Sequence, residues 1–436
     1  MTEDSKTIIA VATPVASGAI AIIRISGKDA FDGVKRVFSG FKNEVEPRKA
    51  YYGKIEAGEY QDDCLAIYFK GPNSYTGEDS VEIYTHGSYM LASGIVSYFV
   101  ENAGFAYAEG GDFTARAFKN GKIDLTKAEG VYDMIASESQ AEIKGAYSLL
   151  SGALLKKIEK IQRDIITARA KSEVAIDYPE EDVEEQTENE LLTFIKEIYA
   201  ELNALVNTYK TGRIMRDGVT VTLIGKPNAG KSSLMNALLG YDRAIVTEEK
   251  GTTRDTLTEK YIYRGLKFNL TDTAGLREAE SLPEKMGIER TKAAANESDV
   301  ILYVTDGSEE NSEYTNDNAK TLLVENKCDV RECKNSDGIK VSALTGEGIE
   351  QLKEKIYSLV GGVSVGGVVL NNQRQYACAI SAKEHLTRAI ENIGNVPIEL
   401  ICSDLYDAYS ALGRITGITG SDAIADEIFR KFCVGK

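Results

Sequence analysis

The stretch Val219-Thr-Val-Thr-Leu-Ile-Gly-Lys-Pro-Asn-Ala-Gly-Lys-Ser232, followed by Ser-Leu-Met-Asn-Ala-Leu-Leu239, decides the fold of its part of the chain. Residues 219–224 are a β-rich run. Residues 225–232 read G-x-x-x-x-G-K-S, and the residues after them have helical composition. Strand, glycine-bounded loop and helix in that order make a phosphate-binding loop. Glycine lets the backbone wrap an anion, and the N–H groups and the helix N-terminus face it. Lys231 is expected to reach the β- and γ-phosphates as a catalytic residue, and the Ser232 hydroxyl to ligate Mg²⁺. Asn228, Ala229, Gly230 and Ser233 complete the nucleotide contacts expected of this loop.

Further motifs follow in order, each after a β-rich run. Asp272-Thr-Ala-Gly275 follows residues 266–270. Asp272 is placed to hold the Mg²⁺ shell through water, and Gly275 to donate its N–H to the γ-phosphate; Thr273 and Ala274 lie in the same contact. Asn326-Lys-Cys-Asp329 follows residues 322–324. The Asp329 carboxylate can accept from guanine N1–H and the exocyclic amine together, which adenine would leave unpaired. Asn326 and Lys327 belong to the same loop. Ser342-Ala-Leu344, after residues 339–341, suits backbone contact with the base. Together these motifs predict a guanine-specific GTPase with GTP and Mg²⁺ as ligands.

The hydrolytic group is less direct. Ras-type enzymes place Gln directly after Asp-x-x-Gly; here that residue is Leu276, which cannot orient water. Glu278, Glu280 and Glu284 are the acids downstream. The segment Thr247-Glu-Glu-Lys-Gly-Thr-Thr-Arg-Asp255 lies where switch I is expected, and its Thr252-Thr253 pair can supply a Mg²⁺ ligand. Thr247, Glu248, Glu249, Lys250 and Gly251 are the other nucleotide contacts expected there. Arg243, Arg254 and Arg277 stand near the switches without a pattern that marks an arginine finger.

The rest of the 436-residue chain bounds the answer. A formal charge of −16 argues against a broad basic surface for nucleic acid. Seven carboxylates fall in the thirteen residues Tyr178–Glu190, the composition of a solvated loop and helix start. Two histidines, His86 and His385, leave little room for His-based zinc or a His-centred triad. The six cysteines lack a Cys-x-x-Cys pair and read as reduced thiols of a cytoplasmic protein. Neither a membrane span nor a signal peptide is expected.

Periodicity divides the chain. Residues 7–12 and 19–26 are β-rich runs split by a turn, a hairpin signal; residues 65–69 and 80–85 read as further strands. Leu150, Leu154, Ile158, Ile161 and Ile165 recur at helical spacing, as do Leu191, Ile195, Ile198, Leu202 and Leu205. Alternating strands and helices run from about 219 to 360, and residues 373–432 return to helix. We therefore expect an α/β multidomain chain: an N-terminal α/β domain at 1–118, a helical domain at 119–215 and 363–436, and a P-loop GTPase domain at 216–362 inserted within it.

These residues also carry a family resemblance. The GTPase motifs, Gly251-Thr-Thr-Arg-Asp255 and Leu276 resemble the tRNA modification GTPase family MnmE/TrmE. So do TIIAVATPVASGAIAIIRISG (7–27), PNSYTGEDSVEIYTHG (72–87), DFTARAFKNGKIDLTKAEGVYDMI (112–135), the Asp177-Tyr-Pro-Glu-Glu loop and the terminal Phe432-Cys-Val-Gly-Lys436. The resemblance implies an N-terminal folate-binding and dimerising domain, a helical domain and an inserted Ras-like GTPase domain. It implies a homodimer that works with an FAD-dependent partner, MnmG (GidA), in a heterotetramer or larger. That complex installs a carboxymethylaminomethyl-type group on C5 of the tRNA wobble uridine. The one-carbon unit comes from a tetrahydrofolate derivative (5-formyl- or 5,10-methylene-tetrahydrofolate).

Carried over residue by residue, the folate positions are Arg24, Glu82, Lys122 and Lys436. Cations suit the folate carboxylates, and Glu82 suits paired pterin N–H donors. K⁺ in the place of an arginine finger would be held by Asn228, Thr247, Thr252 and the Glu249 carbonyl. Thr253 would join Ser232 on Mg²⁺, and Glu284 would orient the attacking water. Cys433 is read as a packing or folate-pocket residue rather than a nucleophile. The stretch between Asp306 and Asn326 is shorter than the family's, which predicts a truncated helix there. A ribosome-assembly or translation-associated GTPase would share the nucleotide motifs but not the N-terminal segments or the terminal Cys-Val-Gly-Lys.

Overall fold

The computed structural model describes residues 6–177, 181–240, 258–272, 296, 298–306, 320–331, 338–361, 367–419 and 422–436. In chain order its elements begin with β1 (Ile8–Val11), β2 (Ile20–Ser26), α1 (Ala30–Val37), β3 (Ala50–Ala57), β4 (Tyr60–Phe69), β5 (Ser80–His86), α2 (Tyr89–Ala103) and β6 (Ala106–Tyr107). Helices α3 (Asp112–Lys119), α4 (Leu125–Ala136), α5 (Gln140–Leu150), α6 (Ala153–Asp177), α7 (Glu181–Val206) and α8 (Tyr209–Asp217) follow. Next come β7 (Val219–Ile224), α9 (Lys231–Leu239), β8 (Thr258–Tyr263), β9 (Leu266–Asp272), β10 (Val300–Thr305), β11 (Lys320–Glu325) and β12 (Ile339–Lys340). Helices α10 (Ile349–Leu359), α11 (Gln373–Asn392), α12 (Ile398–Thr416) and α13 (Asp422–Phe429) complete the chain.

The chain divides into two compact units. The first takes Met1–Tyr132, Leu149–Ile198 and Ser381–Lys436. Its sheet has the order β3-β4-β5-β2-β1-β6, antiparallel except for the β1–β6 pair. β1 and β2 pair as the hairpin read from the sequence. Strand alternation sends Ile23, Ile25, Val81 and Ile83 into a core with Ile95 and Phe99 of α2. The residues between them, Arg24 and Glu82, therefore point to the other face, and they stand opposite each other in register. β3 escapes the sequence reading: its alternating Tyr, Lys and Glu are half polar, so it lacks a continuous apolar run.

In the helical part of this unit, Leu154, Ile158, Ile161 and Ile165 of α6 are fully buried, as are Leu405, Ala408 and Leu412 of α12. The two helices pack together, and Gln162 Nε2 donates to the Tyr409 carbonyl at 3.1 Å. Helical sequence on both sides of the nucleotide-motif block thus meets in one packed pair.

The second unit takes Asp133–Ser148 and Tyr199–Ile380. Its sheet has the order β12-β11-β10-β7-β9-β8, parallel except for the β8–β9 hairpin. Val221, Leu223, Phe268, Leu270, Leu302, Val304 and Val324 are all buried in its core. The chain leaves β7 for β8–β9 on one side and returns to β10 on the other. β7 is therefore the topological switch point, and ligand loops belong at the carboxyl ends of strands around it. β8 was not read from the sequence. The chain ends flanking this block are pinned: Leu370 N donates to Thr208 Oγ1 at 3.1 Å, and the Tyr209 and Tyr376 rings stack at 4.2 Å.

The expected helix truncation between Asp306 and Asn326 falls on residues 307–319, outside the described residues. Cys64, Cys378, Cys402 and Cys433 are free thiols. Cys328 is disulfide-bonded, which corrects the expectation of reduced thiols throughout. Among the described residues no helix is long and apolar enough to cross a membrane.

Candidate nucleotide and N-terminal sites

The loop between β7 and α9 has the backbone that its glycines predict. Gly225 takes φ +148°, and a β-carbon there would meet the Val304 carbonyl oxygen at 2.1 Å. Gly230 takes φ +88°, and a β-carbon would meet Asn326 Nδ2 at 2.3 Å. Neither position accepts a side chain. Asn228 also takes a positive φ of 63°, a conformation Asn tolerates better than most residues. The Lys231 ammonium is held at 3.0 Å by both the Gly225 and Lys226 carbonyls, which places its charge within the loop. Ser232 and Ser233 are exposed in the first turn of α9.

Asn326 ties the loops together. Its Nδ2 donates to the Ala229 carbonyl at 3.1 Å and the Gly230 carbonyl at 3.3 Å. Its Oδ1 accepts from Ala343 N at 3.0 Å. Lys327, with φ 67°, donates from Nζ to the Asn228 carbonyl at 2.6 Å. The phosphate loop, the Asn326–Asp329 loop and the Ser342–Leu344 loop are thus one assembly. Within it the Asp329 side chain is exposed, Ser342 is buried and Leu344 is exposed. Asp272 ends β9 opposite Leu223 of β7, so its backbone stands beside the strand that feeds the phosphate loop. Thr247, Glu248, Glu249, Lys250, Gly251, Thr252, Thr253, Thr273, Ala274, Gly275 and Glu284 lie outside the described residues. Of the four K⁺ positions, only Asn228 lies within them.

β9 is anchored on α5. Lys267 pairs with Glu142, whose carboxylate also accepts from Ser139 N, and Ala141 N donates to the Gly265 carbonyl at 2.9 Å. Burial alone would raise the Glu138 carboxyl, but Lys260 and Lys267 outweigh it and hold it below its usual range.

A second polar group lies on the outward face of the N-terminal sheet. Arg24 Nε donates to Glu82 Oε1 at 3.0 Å, Nη2 lies 2.9 Å from the same oxygen, and Nη1 donates to the Gly435 carbonyl at 2.9 Å. The guanidinium carbon lies 5.7 Å from the Tyr75 ring centre and 5.8 Å from that of Phe113. The Tyr84 hydroxyl donates to Glu82 Oε2 at 2.7 Å. Burial, with Glu82 adding to it, pushes the Tyr84 phenol up to about 12, so it remains a neutral donor. Burial, then repulsion from Arg24, lowers the Lys436 ammonium from its ordinary value against the opposing pull of Glu82.

The structure groups Arg24, Glu82 and Lys436. Lys122 is engaged by the loop that carries Tyr75: its Nζ donates to the Pro72 carbonyl at 2.8 Å. Tyr75, Tyr84, Phe113 and the Gly435 carbonyl were missed from sequence. Only Tyr84 left a signal, two residues from Glu82 on the same strand face. Gly435, at φ +92°, lies where a β-carbon would meet Ala12 Cα at 2.6 Å, which explains glycine at that place in the C-terminal motif. Cys433 is exposed, so the packing role expected for it is not present within this chain. The outward turn belongs to a terminus that buries Phe432 and Gly435 on either side.

Known proteins resemble this chain along its length. Residues 7–122 match the family described as GTP-binding protein TrmE N-terminus, and residues 125–433 match the MnmE helical domain. A tRNA modification GTPase MnmE from Natranaerobius thermophilus is 39% identical, covering 100% of both chains. One from Carboxydothermus hydrogenoformans is 40% identical over 100% of both, and one from Aquifex aeolicus 39% identical over 98% of this chain and 99% of its own. With the nucleotide loops assembled on a P-loop sheet and family matches at residues 7–122 and 125–433, the chain belongs to the MnmE family of tRNA modification GTPases.

Proposed function

We propose that this GTPase hydrolyses GTP as a homodimer in the cytoplasm and, with an FAD-dependent MnmG (GidA) partner, modifies C5 of the tRNA wobble uridine. The modification is of the carboxymethylaminomethyl type. One observation carries the folate part of this reading: Arg24 meets Glu82 and the Gly435 carbonyl beside Lys436, and its guanidinium lies near the Tyr75 and Phe113 rings. Two cations beside a carboxylate, with aromatic rings alongside, fit a flat heteroaromatic ligand that bears carboxylates. A tetrahydrofolate derivative would supply the one-carbon unit. Arg24 and Lys436 would hold its carboxylates, Glu82 would accept from pterin N–H donors while Tyr84 fixes its other oxygen, and Lys122 would hold the Tyr75 loop in place.

At the nucleotide site, the N–H groups of the loop from Asn228 to Ser233 and the Lys231 ammonium would bind the phosphates, and Asp329 would select guanine. Lys231 is already desolvated, at 7% exposure, so its charge acts in a medium where it counts for more than in water. The Ser232 hydroxyl, exposed at the start of α9, suits Mg²⁺ together with Thr253. Asn228, exposed at its positive φ, suits K⁺ together with Thr247, Thr252 and the Glu249 carbonyl. Thr273, Ala274 and Gly275 would follow the γ-phosphate, and Glu284 would orient water.

The test is mass spectrometry of tRNA nucleosides from a strain lacking this gene. The expected result is loss of the wobble-uridine modification. Its persistence at the normal level would overturn the pathway assignment.

A further inference from the structure

Helix α6 carries a row of cations in a chain that is otherwise acidic. Between residues 156 and 171 six basic residues (Lys156, Lys157, Lys160, Arg163, Arg169, Lys171) face two acids, Glu159 and Asp164. At 3.6 residues per turn, Lys156, Lys160, Arg163, Thr167 and Lys171 fall within about 80° of the helix circumference. All five are exposed. The opposite side of the helix holds Leu154, Ile158, Ile161, Ile165 and Ala168, each fully buried. The cationic row therefore points directly away from the packed interior.

Two observations extend and stiffen the row. Gly152, which directly precedes α6, lies under the Lys127 side chain: a β-carbon there would meet Lys127 Cε at 3.3 Å. The Lys171 ammonium sits 4.8 Å from the Phe194 ring centre, which holds the far end of the row in place. Asp164 is engaged by Lys160 at 3.0 Å. From Lys156 to Lys171 the row runs about 22 Å along α6.

We propose that this face of α6, with Lys127, is a contact surface for the sugar–phosphate backbone of tRNA. The assignment rests on the tRNA-modification reading given above. Thr167 is the one neutral residue within that arc, and Ala170, Glu159 and Asp164 border it. A row of cations repeated at each helical turn fits a uniform polyanion better than a single acidic side chain. A chain with a net charge of −16 repels RNA overall, so attraction must come from local concentrations of positive charge such as this one.

The test compares the full chain with two variants of equal charge change. One is K156Q/K160Q/R163Q. The other, a control, is K42Q/K49Q/K54Q, on exposed lysines of the N-terminal region. Binding of unfractionated tRNA is measured against salt concentration, with GTP turnover and the thermal midpoint as folding controls. The α6 variant should bind about tenfold more weakly near 0.1 M salt, with its log–log salt slope smaller by roughly two to three, about one per phosphate contact removed. The control should stay within about twofold of the unmodified chain. Equal tRNA binding by the α6 variant, or an equal loss in the control, overturns the proposal. So does an α6 variant that keeps tRNA but loses poly-glutamate, which would assign the row to an acidic protein. Wobble-uridine content in cells complemented with each chain separates this from the broader reading. If the unmodified chain restores the modification, the pathway stands whatever the α6 variant does; if it does not, the pathway reading itself fails.

Discussion

At the nucleotide loops most of the contacts that shape the site are made by backbone. The Ala229, Gly230 and Asn228 carbonyls fix Asn326 and Lys327, and the phosphate loop offers its N–H groups. At the Arg24 pocket the contacts come from charged side chains on an antiparallel sheet, closed by a residue from the other end of the chain. A backbone site needs particular φ angles at adjacent positions, so it writes a dense local motif. A side-chain site needs only a few chemical groups to meet, so its residues can lie anywhere in sequence.

That contrast can be broken by substitution, and the largest effect belongs to the lysine of the phosphate loop. Lys231→Ala should lower GTP turnover by about 10³-fold, read by steady-state phosphate release, with folate binding unchanged. Loss of folate binding as well would mean that the two sites are not separable. Asp329→Asn should weaken GTP binding by about 10²-fold, because an amide cannot accept from both guanine donors. Xanthosine triphosphate, which offers the complementary group, should recover part of that loss; calorimetry with both nucleotides checks it.

Arg24→Ala should weaken tetrahydrofolate binding by about 30-fold and leave GTP turnover within twofold. A variant that lost turnover instead would place Arg24 in the wrong half of the comparison. Exchanging K⁺ for Na⁺ should slow hydrolysis by about tenfold, on the view that a cation stands where other GTPases use arginine. Equal rates in the two salts would remove K⁺ from the account.

The smallest effect is a pH dependence. Lys436 must be protonated to hold a carboxylate, and its ammonium lies below the ordinary lysine value of about 10.4. Folate affinity should therefore fall as pH rises through that lowered value, earlier than for an ordinary lysine. Lys436→Gln should bind more weakly below that value and lose this decline. A decline that persisted in Lys436→Gln would point to another titrating group.

The comparison also explains what could be read from the sequence. Residues 219–232 announced strand, loop and helix because burial on both faces and the glycine positions leave a linear trace. The structure adds why Gly225 and Gly230 are required: one abuts Val304, the other Asn326. Asn326 was legible as part of a motif, but its three hydrogen bonds across two other loops were not, since their partners lie far away in sequence. Arg24 and Gly435 are 411 positions apart, a distance no local pattern spans. Arg24 was reached only through the family resemblance, and Gly435, Tyr75 and Phe113 were not reached at all. β3 was missed because an edge strand with alternating charged residues resembles a polar loop.

The claim that joins both sites to one reaction is tested most directly by the wobble nucleoside itself. Mass spectrometry of tRNA from two strains, one carrying only the Lys231→Ala chain and the other only the Arg24→Ala chain, should show the modified uridine lost in both. A normal level of modified uridine in either strain would contradict the account.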